Sequence, residues 1–359
     1  MRRNRTIFAE HKPRRTGRLI YPLFLLLILA LSIGLNFINN GRVRLDTESV
    51  TIVGLPKELE NFRILHISDL HGNEYGANQN TIATMLQTAR YNAVCVTGDV
   101  CAPDGDYSAF LKLIDLFAGK VPVYFIAGDE DPAPLLSAAQ PDGSVKADYI
   151  LAAEEHGAIY VDRPQKLAVG KSVIWFSPES IYGLDIASYR AAYQARLEAL
   201  AADDSLSFSN QAAQISVIDH QLQMLADTEQ YLAEMQDSDI QIALTHHPLT
   251  EETIKTLQQW AGAERGDFFR GVSLVLSGHF CAGQIRIPFV GALRAPASAG
   301  LPGSGWFPAD RALTGLSVVQ GVTQYISPGL GASGAYPVRF RMFNTPAVTV
   351  LTLTSKLTF

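Results

Sequence analysis

Ile64-Leu-His-Ile-Ser-Asp-Leu-His71 is the stretch on which the reading of this chain turns. A short apolar run with β-branched residues stops at Ser68, and an aspartate and a histidine follow at once. Four more stretches have the same form: Ala93-Val-Cys-Val-Thr-Gly-Asp99, Val123-Tyr-Phe-Ile-Ala-Gly-Asp-Glu-Asp131, Ile240-Gln-Ile-Ala-Leu-Thr-His-His-Pro248 and Val272-Ser-Leu-Val-Leu-Ser-Gly-His279. Apolar runs of this length, bounded by Gly and Pro, read as buried strands rather than helices. Stretches with helical spacing, such as 81–90 and 108–117, lie between them. Strand–helix alternation implies an α/β sheet, and such sheets bind ligands beyond the carboxyl ends of their strands. All five polar clusters fall at that position.

Taken together, Asp69, His71, Asp99, Asp129, His246 and His279 are a donor set for a hard or borderline metal. Carboxylate with imidazole suits Mn, Fe or Zn, whereas Ca and Mg prefer all-oxygen shells. Two such cations, about 3.5–4 Å apart and sharing one carboxylate, clamp a hydroxide for in-line attack on phosphorus. One aspartate after a strand is often only a helix cap, and one histidine only a satisfied polar residue. Five clusters at equivalent strand ends require a common pocket.

The order of these motifs resembles the calcineurin-like metallophosphoesterase family, whose pattern runs D-x-H, G-D, G-N-H-[DE], H-x-P, G-H-x-H. The likeness extends to Gly54-Leu-Pro-Lys-Glu-Leu59, Gly283-Gln-Ile-Arg286 and Tyr325-Ile-Ser-Pro-Gly-Leu-Gly331, and so covers most of residues 50–355. With the apolar N-terminal segment described below, the chain is most similar to the bacterial membrane-anchored subgroup. The resemblance implies a four-layer α-β-β-α sandwich and two divalent metal ions, with Mn, Fe or Zn favoured. Asp69 and His71 would bind the first ion, Asp99 would bridge, and Asp129, His246 and His279 would complete the second. The implied activity is hydrolysis of a phosphomonoester, phosphodiester or pyrophosphate through a metal-bound hydroxide.

Three positions depart from the family pattern. Asp129 replaces Asn and remains a competent ligand. Glu130 replaces the His expected to donate a proton or stabilise the transition state, and an unperturbed glutamate is an anion at neutral pH. Cys281 replaces the last His of G-H-x-H, and a thiolate is a good ligand for Zn or Fe. Glu130 and the neighbouring His247 are therefore the candidate catalytic residues. Two readings stay open at this point: a working hydrolase, or a degenerate relative that binds metal or ligand without turnover. A Cys101–Cys281 disulfide, which would remove a ligand, also stays open.

Residues 1–18 hold seven of the 29 Lys and Arg and one of the 35 Asp and Glu, which leaves the rest of the chain near −12. So acidic a body argues against a nucleic-acid partner, which needs a basic face to neutralise phosphates. The basic cluster precedes a charge-free segment, 19–38, long enough to span a hydrocarbon core. The segment ends in Asn36-Phe-Ile-Asn-Asn40, with no small-residue cleavage site, so an uncleaved anchor is expected. Positive charge on the near side places the N-terminus in the cytoplasm and the body outside it, with a lipid-linked phosphate ester among the candidate substrates. The expected organisation is a basic tail (1–18), an anchor (19–38), a polar linker (39–50) and the metallophosphoesterase domain (51–359). Within that domain, 186–202 and 214–236 have helical spacing and are expected to form a hairpin insertion (186–237) that packs on the body.

Overall fold

Successive residues of the central strands point into two different cores. In the strand Arg63–Ile67, Ile64 enters one apolar cluster while Leu65 and Ile67 enter another. In the next strand, Ala93 and Cys95 face the first cluster, and Val94 and Val96 the second. A pleated strand alternates its side chains, so a strand covered on both faces must be apolar throughout. This is why the five runs read as continuous.

The computed structural model describes residues 17–203, 205–260, 271–295, 305–309, 313–334, 336 and 338–356. The first half contains α1 (Gly17–Asn40), β1 (Arg44–Thr51), β2 (Arg63–Ile67), α2 (Asn80–Leu86), β3 (Ala93–Thr97), α3 (Ser108–Asp115), β4 (Val123–Ile126), α4 (Asp148–Glu155) and β5 (Ala158–Tyr160). There follow β6 (Gln165–Val169), β7 (Ser172–Pro178), α5 (Ile186–Ala201), α6 (Phe208–Glu234), β8 (Ile240–Leu244), α7 (Glu251–Trp260) and β9 (Val272–Ser277). Four two-residue strands come next: β10 (Arg286–Ile287), β11 (Gly291–Ala292), β12 (Arg294–Ala295) and β13 (Gly305–Trp306). The chain closes with β14 (Gly315–Val319), β15 (Val322–Ile326) and β16 (Ala347–Thr354).

Two six-stranded mixed sheets result, ordered β1-β16-β2-β3-β4-β5 and β14-β15-β9-β8-β7-β6. The core between them joins Ile64, Tyr124 and Leu351 of one sheet to Phe176, Ile242 and Leu274 of the other. Helices α2 to α4 cover the outer face of the first sheet through Ile82, Phe110, Leu113 and Ile150. Helix α7 covers the second through Ile254 and Leu257. The architecture is the expected four-layer α-β-β-α sandwich. Strands β2, β3 and β4 run parallel, as do β8 and β9, so within each sheet the carboxyl ends lie along one edge.

Several boundaries differ from the sequence reading. The stretch 39–50 is not a linker throughout: β1 begins at Arg44 and pairs with β16 along its whole length. Its polar residues fit an edge strand whose burial is confined to a few positions. Helix α6 starts at Phe208, before residue 214, because the Ser207 side chain caps it by accepting from Asn210 N. It meets the second sheet through the rings of Tyr231 and Trp175, 5.8 Å apart, and through Arg163 and Asp227 at 2.6 Å. Helix α5 packs mainly on α6 and buries only Ile186 and Leu200. Helix α1 is apolar and long enough to cross a membrane, and most of it is exposed. Arg2, Arg3, Arg5, Lys12, Arg14 and Arg15 lie outside the described residues.

Candidate metal centre

Glycine precedes Asp99, Asp129 and His279, and each of these glycines has a steric reason: a Cβ on Gly98 would stand 2.6 Å from the Gly128 backbone. A Cβ on Gly278 would stand 2.7 Å from the Ser68 side chain and 2.8 Å from Asp69 Oδ2. A Cβ on Gly128 would collide with the backbone and carboxylate of Asp99. The loops after β2, β3, β4 and β9 therefore press together with no room for side chains between them. Five of the seven expected ligands, Asp69, His71, Asp99, His279 and Cys281, have left-handed backbones with φ between 47° and 76°. Such positions cost about 1–3 kcal/mol each in non-glycine residues and persist where the surroundings over-determine them. Here the strain turns the side chains inward.

The expected residues converge on two adjoining groups. In one, donor atoms of Asp69, His71 and Cys281 lie within 4.8 Å of one another; in the other, those of Asp129, His246, His247 and His279 do. Asp99 stands between them. Its Oδ1 accepts from Glu130 N at 2.9 Å, while Oδ2 lies 3.2 Å from His246 Nε2 and 3.7 Å from His71 Nε2. Asp69 is fully buried; its Oδ1 accepts from His279 N at 3.0 Å and its Oδ2 from Ser68 Oγ. Cys281 Sγ is 3.8 Å from His71 Nε2. All three cysteines are free and buried, so no Cys101–Cys281 bridge forms.

The donor chemistry fits a cation. His246 Nδ1 lies 2.8 Å from the Thr97 carbonyl oxygen, which can only accept, so Nδ1 carries the proton. Nε2 then faces Asp129 Oδ1 at 2.8 Å and Asp99 Oδ2 at 3.2 Å, placed to share a proton or a metal ion with them. Two carboxylate oxygens this close to one another around a buried imidazole edge need positive charge among them, from a proton or a metal ion. Ionisation shows the same need. Burial acts to lower the pKa of His246, but Asp129 and Asp99 at its edge hold it well above the usual imidazole range. Burial likewise opposes ionisation of Asp129, and the imidazoles of His246, His247 and His279 outweigh it, keeping the carboxyl far below its ordinary range. For the Cys281 thiol, burial and the Asp69 charge push the pKa well up, so it would become a thiolate ligand only beside a cation.

The two residues expected to be catalytic occupy different settings. Both oxygens of Glu130 accept from Gly334 N at 3.0 Å, and Oε1 also accepts from Ser333 Oγ. Arg339 Nη2 lies 3.4 Å from Oε2, and His71 Nδ1 lies 3.7 Å from it. Glu130 is thus fixed in position beside the first group. His247 is half-exposed at the mouth, 3.5 Å from Asp129 Oδ1 and with its ring 4.3 Å from that of His279.

Sequence reasoning missed the parts that hold these loops. Asp131 Oδ1 accepts from Val100 N and Cys101 N, and Oδ2 from Gly128 N, each at 2.8 Å. One carboxylate so ties the Asp99 loop to the Asp129 loop; the last position of G-N-H-[DE] was its available signal. Arg341, buried, donates to the carbonyls of Pro328, Gly331 and Asn344 and shapes the segment that anchors Glu130. Nothing local in the sequence marked it.

All nine expected site residues lie within 62–283, the span over which the chain matches the model for calcineurin-like phosphoesterases. The chain belongs to that family, a class of metal-dependent phosphoester hydrolases. Among solved structures it is similar to the phosphopantetheinyl hydrolase of Mycobacterium tuberculosis, at 15% identity over 75% of this chain and 89% of that one, with a TM-score of 0.36. No curated protein matches the sequence.

Proposed function

We propose that this protein hydrolyses a phosphomonoester, phosphodiester or pyrophosphate with two divalent cations, of which Mn, Fe and Zn suit the donors best. The observation that carries the reading is the meeting of two donor groups at the buried Asp99. Asp69, His71, Asp99 and Cys281 would hold one cation, and Asp99, Asp129, His246 and His279 the other, with His247 at its rim. When bound, the cations supply Lewis-acid stabilisation of the phosphoryl oxygens and acidify water at the site. The chain itself keeps the donors in register. Thr97 O fixes the His246 tautomer, and Glu130 faces His71 Nδ1 so that Nε2 turns inward. In the reaction water adds to phosphorus and gives up a proton, the ester P–O bond breaks, and the leaving oxygen takes a proton from His247 at the mouth, which the proton released from water restores. Glu130, engaged by Ser333, Gly334 and Arg339, acts as a positioning residue in this scheme.

The same reading takes α1 as an uncleaved anchor with the basic N-terminus in the cytoplasm and the body across the membrane, which makes a lipid-linked phosphate accessible. A second reading, binding without turnover, is favoured by Glu130 and Cys281 at the two exchanged positions. Metal analysis together with turnover of p-nitrophenyl phosphate and bis-p-nitrophenyl phosphate separates the two. Two cations per chain with hydrolysis by the natural sequence supports the enzyme. Bound metal with no turnover, and activity only in the E130H/C281H variant, refutes it.

A further inference from the structure

Six exposed apolar side chains of the body lie on segments that neighbour one another in the fold. Phe289 and Val290 sit at the tip of the β10–β11 hairpin, Trp306 and Phe307 at the end of the β12–β13 pair, and Phe340 and Phe343 flank Arg341. Backbone hydrogen bonds join these segments. Arg286 N donates to Met342 O at 2.9 Å, Leu293 N to Ile285 O at 2.9 Å, and Phe307 N to Leu293 O at 3.0 Å. Exposed apolar side chains grouped on linked segments mark an interaction site.

Helix α1 stands on the same segment. The amides of Asn36 and Asn40 donate to Arg341 O at 2.8 and 2.5 Å, and Phe343 N donates to Asn36 Oδ1 at 2.7 Å. Only residues 41–43 separate α1 from β1, a reach of about 10 Å at most. If α1 crosses a bilayer, the patch is therefore held at its surface rather than far from it. Its chemistry suits that place: aromatic rings with basic partners, as where the Arg294 guanidinium lies 5.8 Å from the Trp306 ring centroid. Beside the patch opens a cavity of about 420 Å³, whose walls include Asn40 and Gly41 at the foot of α1, Phe340, Arg339 and Arg341 opposite, and His71 of the first donor group. The cavity thus runs from the donor cluster to the point where the apolar helix leaves the body.

We propose that the body lies on the bilayer through this patch and that the cavity beside His71 receives the phosphorylated headgroup of a bilayer lipid. The inference rests on the phosphoesterase reading and names its substrate class. A water-soluble phosphate ester presents the same phosphate; the source distinguishes the two, and lipid is favoured because the cavity and the helix foot share a wall.

The full chain in phospholipid nanodiscs, loaded with Mn, tests both halves. Fluorescence of Trp306, taken as the difference from W306F, should be quenched by brominated acyl chains; no quenching overturns the proposal. Turnover of p-nitrophenyl phosphate should be inhibited by dioleoyl phosphatidic acid in the same disc, and glycerol 3-phosphate at equal bulk concentration should have no effect. Equal inhibition by the two, or inhibition by glycerol 3-phosphate alone, overturns it in favour of a soluble substrate. The F289S/V290S variant should weaken phosphatidic acid inhibition by about tenfold or more, the cost of losing two interfacial apolar side chains, while p-nitrophenyl phosphate turnover stays unchanged. If lipid inhibition survives that change in full, the patch does not seat the body and the proposal fails. Failure to hydrolyse p-nitrophenyl phosphate under any cation sinks the phosphoesterase reading instead, with the fluorescence result standing apart.

Discussion

Replacing Asp131 by Asn should loosen the metal centre without touching an expected ligand. The carboxylate receives three backbone amides at 2.8 Å, two on Oδ1 and one on Oδ2. Hydrogen bonds to a charged acceptor are worth roughly 1.5–3 kcal/mol each, and those to a neutral one roughly 1. In D131N the amide oxygen keeps Val100 N and Cys101 N at reduced strength. Its NH2 then confronts Gly128 N, leaving that amide unsatisfied at a cost of about 1–3 kcal/mol. The total is a loss of about 3 kcal/mol in folding stability. Because the bond tethers the Asp99 loop to the Asp129 loop, cation affinity should fall about 10- to 100-fold, as for other groups that orient ligands. Calorimetric titration of Mn into the detergent-solubilised full chain, alongside thermal unfolding, measures both effects. Affinity within threefold of the natural protein, with an unchanged melting temperature, would refute the argument that Asp131 holds the centre together.

Chelation should lower thermal stability, because Asp69 and Asp99 are buried carboxylates that a cation would neutralise; a melting temperature unaffected by EDTA contradicts the metal assignment. C281S should reduce bound Zn from two equivalents to one by mass spectrometry, since a hydroxyl is a poor replacement for thiolate; two tight equivalents would remove Cys281 from the ligand set. His66 is buried with Nε2 2.9 Å from Thr97 Oγ1, and burial lowers its pKa to about 3. Its neutral form is the folded one, so stability is full above about pH 6.5 and drops by up to about 1.4 kcal/mol per unit as pH falls toward 3. H66L should flatten that slope in denaturant titrations at several pH values, and an unchanged slope would assign the acid sensitivity to other groups.

Much of the site is legible before folding because each donor follows its strand within a few residues. Asp69, Asp99, Asp129, His246 and His279 carry that signal in their own neighbourhoods, and strand direction then brings the ends together. Other features have no local mark. Strand β1 hides among polar residues because it is an edge strand, and its pairing with β16 joins the two ends of the body. Glu130 is read from its motif as the replacement for an expected proton-donating His, yet its partners Ser333, Gly334 and Arg339 lie some two hundred residues onward.

Read alone, the chain determines an α/β sheet, an apolar N-terminal segment and a donor set at the strand ends, since hydrophobic period and turn chemistry act over short distances; the sandwich comes from the family resemblance. Only the tertiary structure decides that Asp99 stands between two donor groups, that Asp131 ties the loops and that Ser333 and Gly334 hold Glu130 in place. It also decides that the foot of α1 shares a cavity wall with His71. The physical reason is that charge and hydrogen bonding depend on separation in space, which for these residues is settled by two sheets packing face to face.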